Sequence, residues 1–200
     1  MSHPLCRPRA VPLLLFSALL LGDAAVTPAP LNLLFNGSFE SGGEPSLAGW
    51  RAGNPNLASA VAPGAPGGGE WALQLEADWA PTLGFVTQRI EGLRDGDIVL
   101  LRADVKAMDQ AGGGVISLLV GDSPWGARAK WAASSSGTWT ALSVVDTLEL
   151  APGDSVWVQL SSFHTENWPR VGLFDSASLS VLGTVSVAPV TWSGLKAQYR

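Results

Sequence analysis

Apolar and polar residues alternate with a period of two through much of this chain. Trp71, Leu73, Leu75 and Ala77 alternate with Ala72, Gln74, Glu76 and Asp78. Val99, Leu101, Ala103 and Val105 alternate with Leu100, Arg102, Asp104 and Lys106, and Val156, Val158 and Leu160 with Trp157, Gln159 and Ser161. Successive side chains of a strand point to opposite faces, so each run predicts a half-buried β-strand. Leu31–Phe35, Phe85–Ile90, Gly114–Val120, Thr138–Leu148 and Val171–Val181 are further strand candidates. No segment sustains the three-four spacing of an amphipathic helix, because Gly or Pro interrupts most windows.

Turn chemistry separates the runs. Arg94-Asp95-Gly96-Asp97 and Ala151-Pro152-Gly153-Asp154 each place a glycine where a tight turn needs positive φ. Ala62–Gly69 and Ala111–Gly114 read as floppy loops. Many short strands at this spacing predict an all-β fold, an antiparallel β-sandwich of the jelly-roll kind.

The first residues follow another pattern. Met1–Arg9 carries two arginines and no acid, Val11–Leu21 is almost wholly apolar, and the small residues Gly22, Ala24 and Ala25 follow. A basic stretch, an apolar run and small residues are the order of a secretory signal peptide, and the run is short for a membrane span. Residues 1–25 are therefore expected to be a signal peptide, 26–182 the sandwich, and 183–200 a last strand or a tail. The expected product is secreted or extracytoplasmic, with no membrane span in the mature chain.

Composition narrows the function. The chain has 200 residues, 46% hydrophobic and 14% charged, with a net charge of −5. That length suits one domain, and the apolar content argues against disorder. An acidic balance with no basic run disfavours nucleic acid. Cys6 is the single cysteine, so no intrachain disulfide framework or cysteine-rich zinc site is available. The nine tryptophans are the unusual feature.

Asn32-Leu33-Leu34-Phe35-Asn36-Gly37-Ser38-Phe39-Glu40, followed by Gly49-Trp50, resembles the opening of CenC-type carbohydrate-binding modules. Trp71-Ala72-Leu73-Gln74-Leu75, Val86-Thr87-Gln88, Leu93-Arg94-Asp95-Gly96-Asp97, Gly137-Thr138-Trp139-Thr140 and Val171–Leu179 with Phe174-Asp175 continue that pattern in order. The resemblance covers about residues 31–182. It implies a non-catalytic jelly roll that binds a polysaccharide along one face, within the galactose-binding-like superfamily. It also implies a structural calcium, with carboxylates from Glu40 and Asp175 and carbonyls from Gly37 or the Gly68–Gly69 loop. The family often has two consecutive aspartates in the closing strand, whereas here Ser176 follows Asp175. Asn36-Gly37-Ser38 is also a glycosylation sequon, but it coincides with the family motif.

Sugars offer an apolar C–H face and a rim of hydroxyls, which flat aromatic rings and polar side chains match. Trp50, Trp71 and Trp139 share a face with apolar neighbours or fill family core positions, and are expected in the core. Trp157 shares a strand face with Gln159 and Ser161, so it is a candidate sugar platform. Arg102 and Asp104 line the polar face of their own strand and are candidate hydroxyl ligands. Trp79, Trp125 and Trp168 sit in expected loops that could fence a groove, with His164 and Glu166 near its rim. Gln88 falls on the apolar side of its strand, either buried or facing the groove.

Catalytic signatures are missing. The sequence has no Gly-x-Ser-x-Gly elbow, no His-Glu-x-x-His and no phosphate loop. The Glu-x-Asp-x-x-Glu run of laminarinase-like jelly rolls is absent too, since Glu76-Ala77-Asp78 leads into Trp79-Ala80-Pro81. The expectation is a monomeric polysaccharide-binding module. The alternatives are a cell-surface adhesion or structural sandwich that does not bind sugar, and a jelly-roll glycoside hydrolase.

Overall fold

The fold is that of a computed structural model, described here for residues 31–77, 84–108, 112–125, 127–164 and 170–185. The expected signal peptide, Trp79, Trp168, Glu166 and most of the 183–200 segment lie outside the described residues. Among the described residues no helix is long and apolar enough to cross a membrane.

Twelve strands form the described chain: β1 (Glu40–Ser41), β2 (Glu44–Pro45), β3 (Arg51–Ala52), β4 (Ala58–Val61), β5 (Ala72–Ala77), β6 (Phe85–Ile90), β7 (Asp97–Ala107), β8 (Gly112–Gly121), β9 (Arg128–Ser134), β10 (Thr140–Thr147), β11 (Ser155–His164) and β12 (Arg170–Thr184). β1 and β2 make a small hairpin. The rest form two antiparallel five-stranded sheets, a back sheet ordered β10-β7-β12-β5-β4 and a front sheet ordered β3-β6-β11-β8-β9. The two sheets pack into the expected β-sandwich.

Alternation explains the layers. In β7, Val99, Leu101, Ala103 and Val105 are buried, while Arg102 is exposed and Asp104 and Lys106 are half-buried. In β11, Val156, Val158 and Leu160 are buried, and Trp157 and Gln159 are partly exposed. Each sheet turns one apolar face inward. Leu73, Leu101, Phe174 and Leu179 of the back sheet meet Val86, Ile116, Leu118 and Val158 of the front sheet in one core. The two predicted turns form with Gly96 at φ 82° and Gly153 at φ 96°.

Four expectations are corrected, the first being that Ala111–Gly114 is a loop: Gly112–Gly114 open β8 and pair with β11. Leu31–Phe35 is not a strand. Leu33 N–H donates to the Leu179 carbonyl, the Asn32 side chain accepts from Leu34 and Leu179, and Gln88 clamps Phe35. Gln88 accepts from Phe35 N–H at 2.7 Å and donates to its carbonyl at 2.9 Å, so side chains replace a ladder. Trp50 is in the core, but Trp71 and Trp139 are only partly buried. Trp71 stands before the start of β5 and Trp139 before the start of β10, where the interior gives way to solvent. The 62–69 segment is not loose either. Gly64 N–H bonds the Glu70 carbonyl, Gly68 N–H bonds Ala65, and buried Ala65 donates to Asp175.

Candidate functional site

The outer face of the front sheet carries a trough. On β6, Val86, Gln88 and Ile90 point into the sandwich, so Phe85, Thr87 and Arg89 point out. The same parity turns Trp157, Gln159 and Ser161 of β11 outward, and Ser117 and Leu119 of β8. Four of these outward residues are nonetheless sunk: Thr87 6%, Ser117 7%, Leu119 6% and Ser161 6% exposed. They face away from the core, so neighbouring side chains must stand higher and wall them in.

Around Thr87 the walls are aromatic. Arg51, Ala52, Phe85, Thr87, Asp122, Trp125 and Trp157 are among the residues that line a cavity of about 400 Å³. Trp125 is 77% exposed and meets the Phe85 ring edge-to-face, with centroids 5.2 Å apart. Arg89 lays its guanidinium 5.8 Å from the centre of the Trp157 ring, and its Nε is 3.3 Å from Glu91. One face of that indole is therefore engaged by a cation, and the pair holds it in place. Trp157 Nε1 is buried without a hydrogen-bond partner among the described residues. Among the same residues the side chains of Gln159 and Arg51 have no partner of their own, which leaves an amide and a guanidinium available beside the rings.

The cavity brings Trp157 and Trp125 together; Gln159 shares the outward face of β11 with Trp157 but is not among the residues that line the cavity. The trough does not include Arg102 or Asp104. Both lie on β7, in the back sheet, on the far side of the sandwich from Trp157. Alternation assigns a residue to one side of its own strand, but it does not say which sheet the strand joins. His164 closes β11, paired in register with Gly112. Trp79 and Trp168 lie outside the described residues. Gln88 faces inward, as its parity allows, and serves the N-terminal segment. Phe85 and Trp131 are the aromatic residues that sequence reasoning passed over. Phe85 stands in a predicted strand with the outward parity of Thr87, so alternation alone could have found it. Trp131 was hidden because β9 did not alternate clearly.

A second cluster gathers oxygen atoms at the back sheet. Asp175 is fully buried and accepts from Ala65 N–H at 2.7 Å and from Ser176 N–H. Glu40 accepts from Trp71 N–H at 2.8 Å and from Glu70 N–H. Desolvation by burial pushes the Asp175 carboxyl above its ordinary range. The amides of Ala65 and Ser176 pull it down, and the charges of Glu40 and Asp104 push it up again. A Cβ placed on Gly64 would sit 2.7 Å from Asp175 Oδ2 and 2.9 Å from the carbonyl oxygens of Gly69 and Trp71. One carboxylate and two carbonyls thus converge on the space that the glycine leaves open. Gly69 itself abuts Glu40. Two carboxylates and backbone carbonyls are hard oxygen donors of the kind calcium takes; no group of three or more His, Cys, Asp or Glu gathers among the described residues. Gly37 is placed differently: it packs on the Ala177 backbone, and its carbonyl accepts from Ala177 N–H at 2.8 Å.

No family model and no curated protein matches the sequence. Solved structures do match. "Family 16 Carbohydrate Binding Module-2" is 22% identical, covers 74% of this chain and 99% of its own, and has a TM-score of 0.57. The CBM22-1 xylan-binding domain of Paenibacillus barcinonensis Xyn10C is 19% identical, covering 78% and 98%, with a TM-score of 0.58. TmCBM61, solved in complex with β-1,4-galactotriose, is 18% identical, covering 76% and 99%, with a TM-score of 0.52. A cyclase from Fischerella sp. TAU also matches at 16% identity, covering 79% and 100%, with a TM-score of 0.55. The fold is thus that of carbohydrate-binding modules, and it is shared with an enzyme.

Proposed function

We propose that this protein is a non-catalytic, secreted sugar-binding module of the CenC type, and that it holds a polysaccharide in the trough of the front sheet. The observation that carries the reading is the cavity walled by Phe85, Trp125 and Trp157, with outward-facing Thr87 sunk to 6% exposure in its lining. A pyranose laid against Trp125, Phe85 or the free side of Trp157 would cover apolar C–H surface. Gln159, Thr87 and Arg51 would meet its hydroxyls. Xylan and β-1,4-galactotriose, named for two of the similar structures, are neutral chains of the kind the trough suits. Asp122 is the one carboxylate among the described residues that line the cavity, whereas glycoside hydrolysis calls for two.

The same reading gives the oxygen cluster a calcium ion, held by Asp175 and Glu40 with carbonyls such as that of Gly69. The ion would neutralise the paired carboxylates and tie the β1 region and the 64–69 loop to β12. The N-terminal basic-then-apolar pattern supports export.

Affinity electrophoresis against xylan, β-1,4-galactan and mixed-linkage β-glucan tests the function, with tryptophan fluorescence as a second readout. Retardation by at least one polymer is expected, and Trp125→Ala should weaken it about tenfold, the size of one stacking contact. Trp125 is exposed, so its variant should melt with the wild type. No retardation by any glycan, with protein partners captured instead, would support the adhesion reading.

A further inference from the structure

We propose that the segment 186–200 of this chain docks into a cavity at one end of the back sheet, with Trp192 as its anchor. The proposal is independent of the sugar-binding reading, since the aromatic trough lies on the front sheet. The cavity, of about 560 Å³, is set between the 94–97 turn, the end of β10 and the 151–154 turn. Leu148, Leu150, Ala151 and Val185 give it apolar walls, and Asp95, Glu149 and Asp154 stand among them. A volume of this size is that of a ligand pocket.

The outer face of the back sheet leads into it. Val99 and Leu101 of β7 point into the core, so Ile98, Leu100, Arg102, Asp104 and Lys106 point out. That outward row is charged over most of its length and apolar only at Ile98 and Leu100, the end beside the cavity. Exposed Val145 pairs in register with Leu100, and the cavity residue Thr147 pairs with Ile98. Leu182 and Val185 are exposed at the adjoining end of β12. Contiguous exposed apolar surface marks an interaction site.

The chain itself indicates the occupant. Val185 N–H donates to the Gly96 carbonyl at 2.8 Å, so the backbone leaves β12 along the cavity wall. The residues that follow include Val187, Val190, Trp192, Leu195 and Tyr199, with Lys196 and Arg200 and no acid. The cavity offers the opposite charge. Asp95 and Asp154 accept backbone N–H groups of Leu150 and Ala151, each at 2.9 Å, and among the described residues no basic side chain pairs with either. Trp192 follows Val185 by seven residues. An extended chain spans about 3.5 Å per residue, so the indole has a reach of about 25 Å, enough to enter the cavity beside Val185. Covalent attachment also keeps the segment at a millimolar local concentration, whereas the same segment of a second copy must arrive by diffusion.

The test is disulfide capture in the full chain, in a Cys6→Ser background at high dilution. Ala151→Cys combined with Ser193→Cys should close a bond within one chain, read by mass. Ser41→Cys combined with Ser193→Cys, the distant control, should not. Trp192→Ala should lower the melting temperature by about 3–6 °C, the effect of exposing one large apolar contact. Lys196→Glu with Arg200→Glu should lower it at low salt and much less at high salt. If the captured disulfide joins two chains rather than one, the occupant is a second copy and the proposal falls. If no disulfide forms and Trp192→Ala melts with the wild type, the segment does not dock there and the proposal falls as well. Neither result bears on the sugar-binding reading, which affinity electrophoresis tests separately.

Discussion

Gln88 shows how one residue settles a local structure. Its strand parity points it inward, 8% exposed, where a bare amide would be costly. It is satisfied by bonding both backbone groups of Phe35, and the N-terminal segment is thereby held against β6. Gln88→Leu removes donor and acceptor together and leaves the Phe35 groups unpaired. We expect a loss of about 1–3 kcal/mol, read from urea unfolding midpoints. The inward position of Gln88 was legible in the alternation of β6. Its partner was not, because Phe35 lies 53 residues away and local pattern carries no information on that distance.

At the scale of elements, the long strands that bury one face were legible, the edge strand β10 among them, and the short or largely exposed strands were not. β5, β6, β7, β8, β10, β11 and β12 bury one face and so alternate in sequence. β9 has one neighbouring strand and is largely exposed, so nothing forced its residues into alternation. What marks β9 is charge that closes the open side of the sandwich: Lys130 pairs with Asp146 and Arg128 with Glu149, both acids contributed from or next to β10. The two bridges differ in burial. The Asp146 side chain is 8% exposed and that of Glu149 81%. Lys130→Met should therefore destabilise clearly, by about 1–3 kcal/mol, since it strands a sheltered carboxylate. Arg128→Met should stay within about 1 kcal/mol. Equal effects in thermal melts would contradict this account. Between the sheets, a Cβ on Gly114 would lie 2.6 Å from both Phe174 and Val105. Gly114→Ala should cost about 1–3 kcal/mol through overpacking.

For the whole molecule, the decisive fact is which sheet each strand joins. Both polar strand faces, that of β7 and that of β11, were visible in the sequence, but only topology separates them. Arg102 and Asp104 went to the back sheet, together with Asp175, and the aromatic trough to the front. On the proposed reading, sugar binding and calcium stabilisation are accordingly separable. Calcium at a hundredfold excess over its Kd should raise the melting temperature by about 5–10 °C. Asp175→Asn should abolish that rise and leave sugar affinity at the wild-type level when both are folded. Loss of both together would show that the two faces are coupled.

The described ends of the chain share a sheet. Leu33 hydrogen-bonds to Leu179 of β12, and Val185, just past the end of β12, bonds to Gly96 before β7. Both described ends thus lie on the back layer, while the aromatic walls look the other way. A probe attached beside Leu31 or Val185 would therefore sit on the layer opposite Trp125 and Trp157. That placement leaves the aromatic face of the front sheet uncovered by either described end.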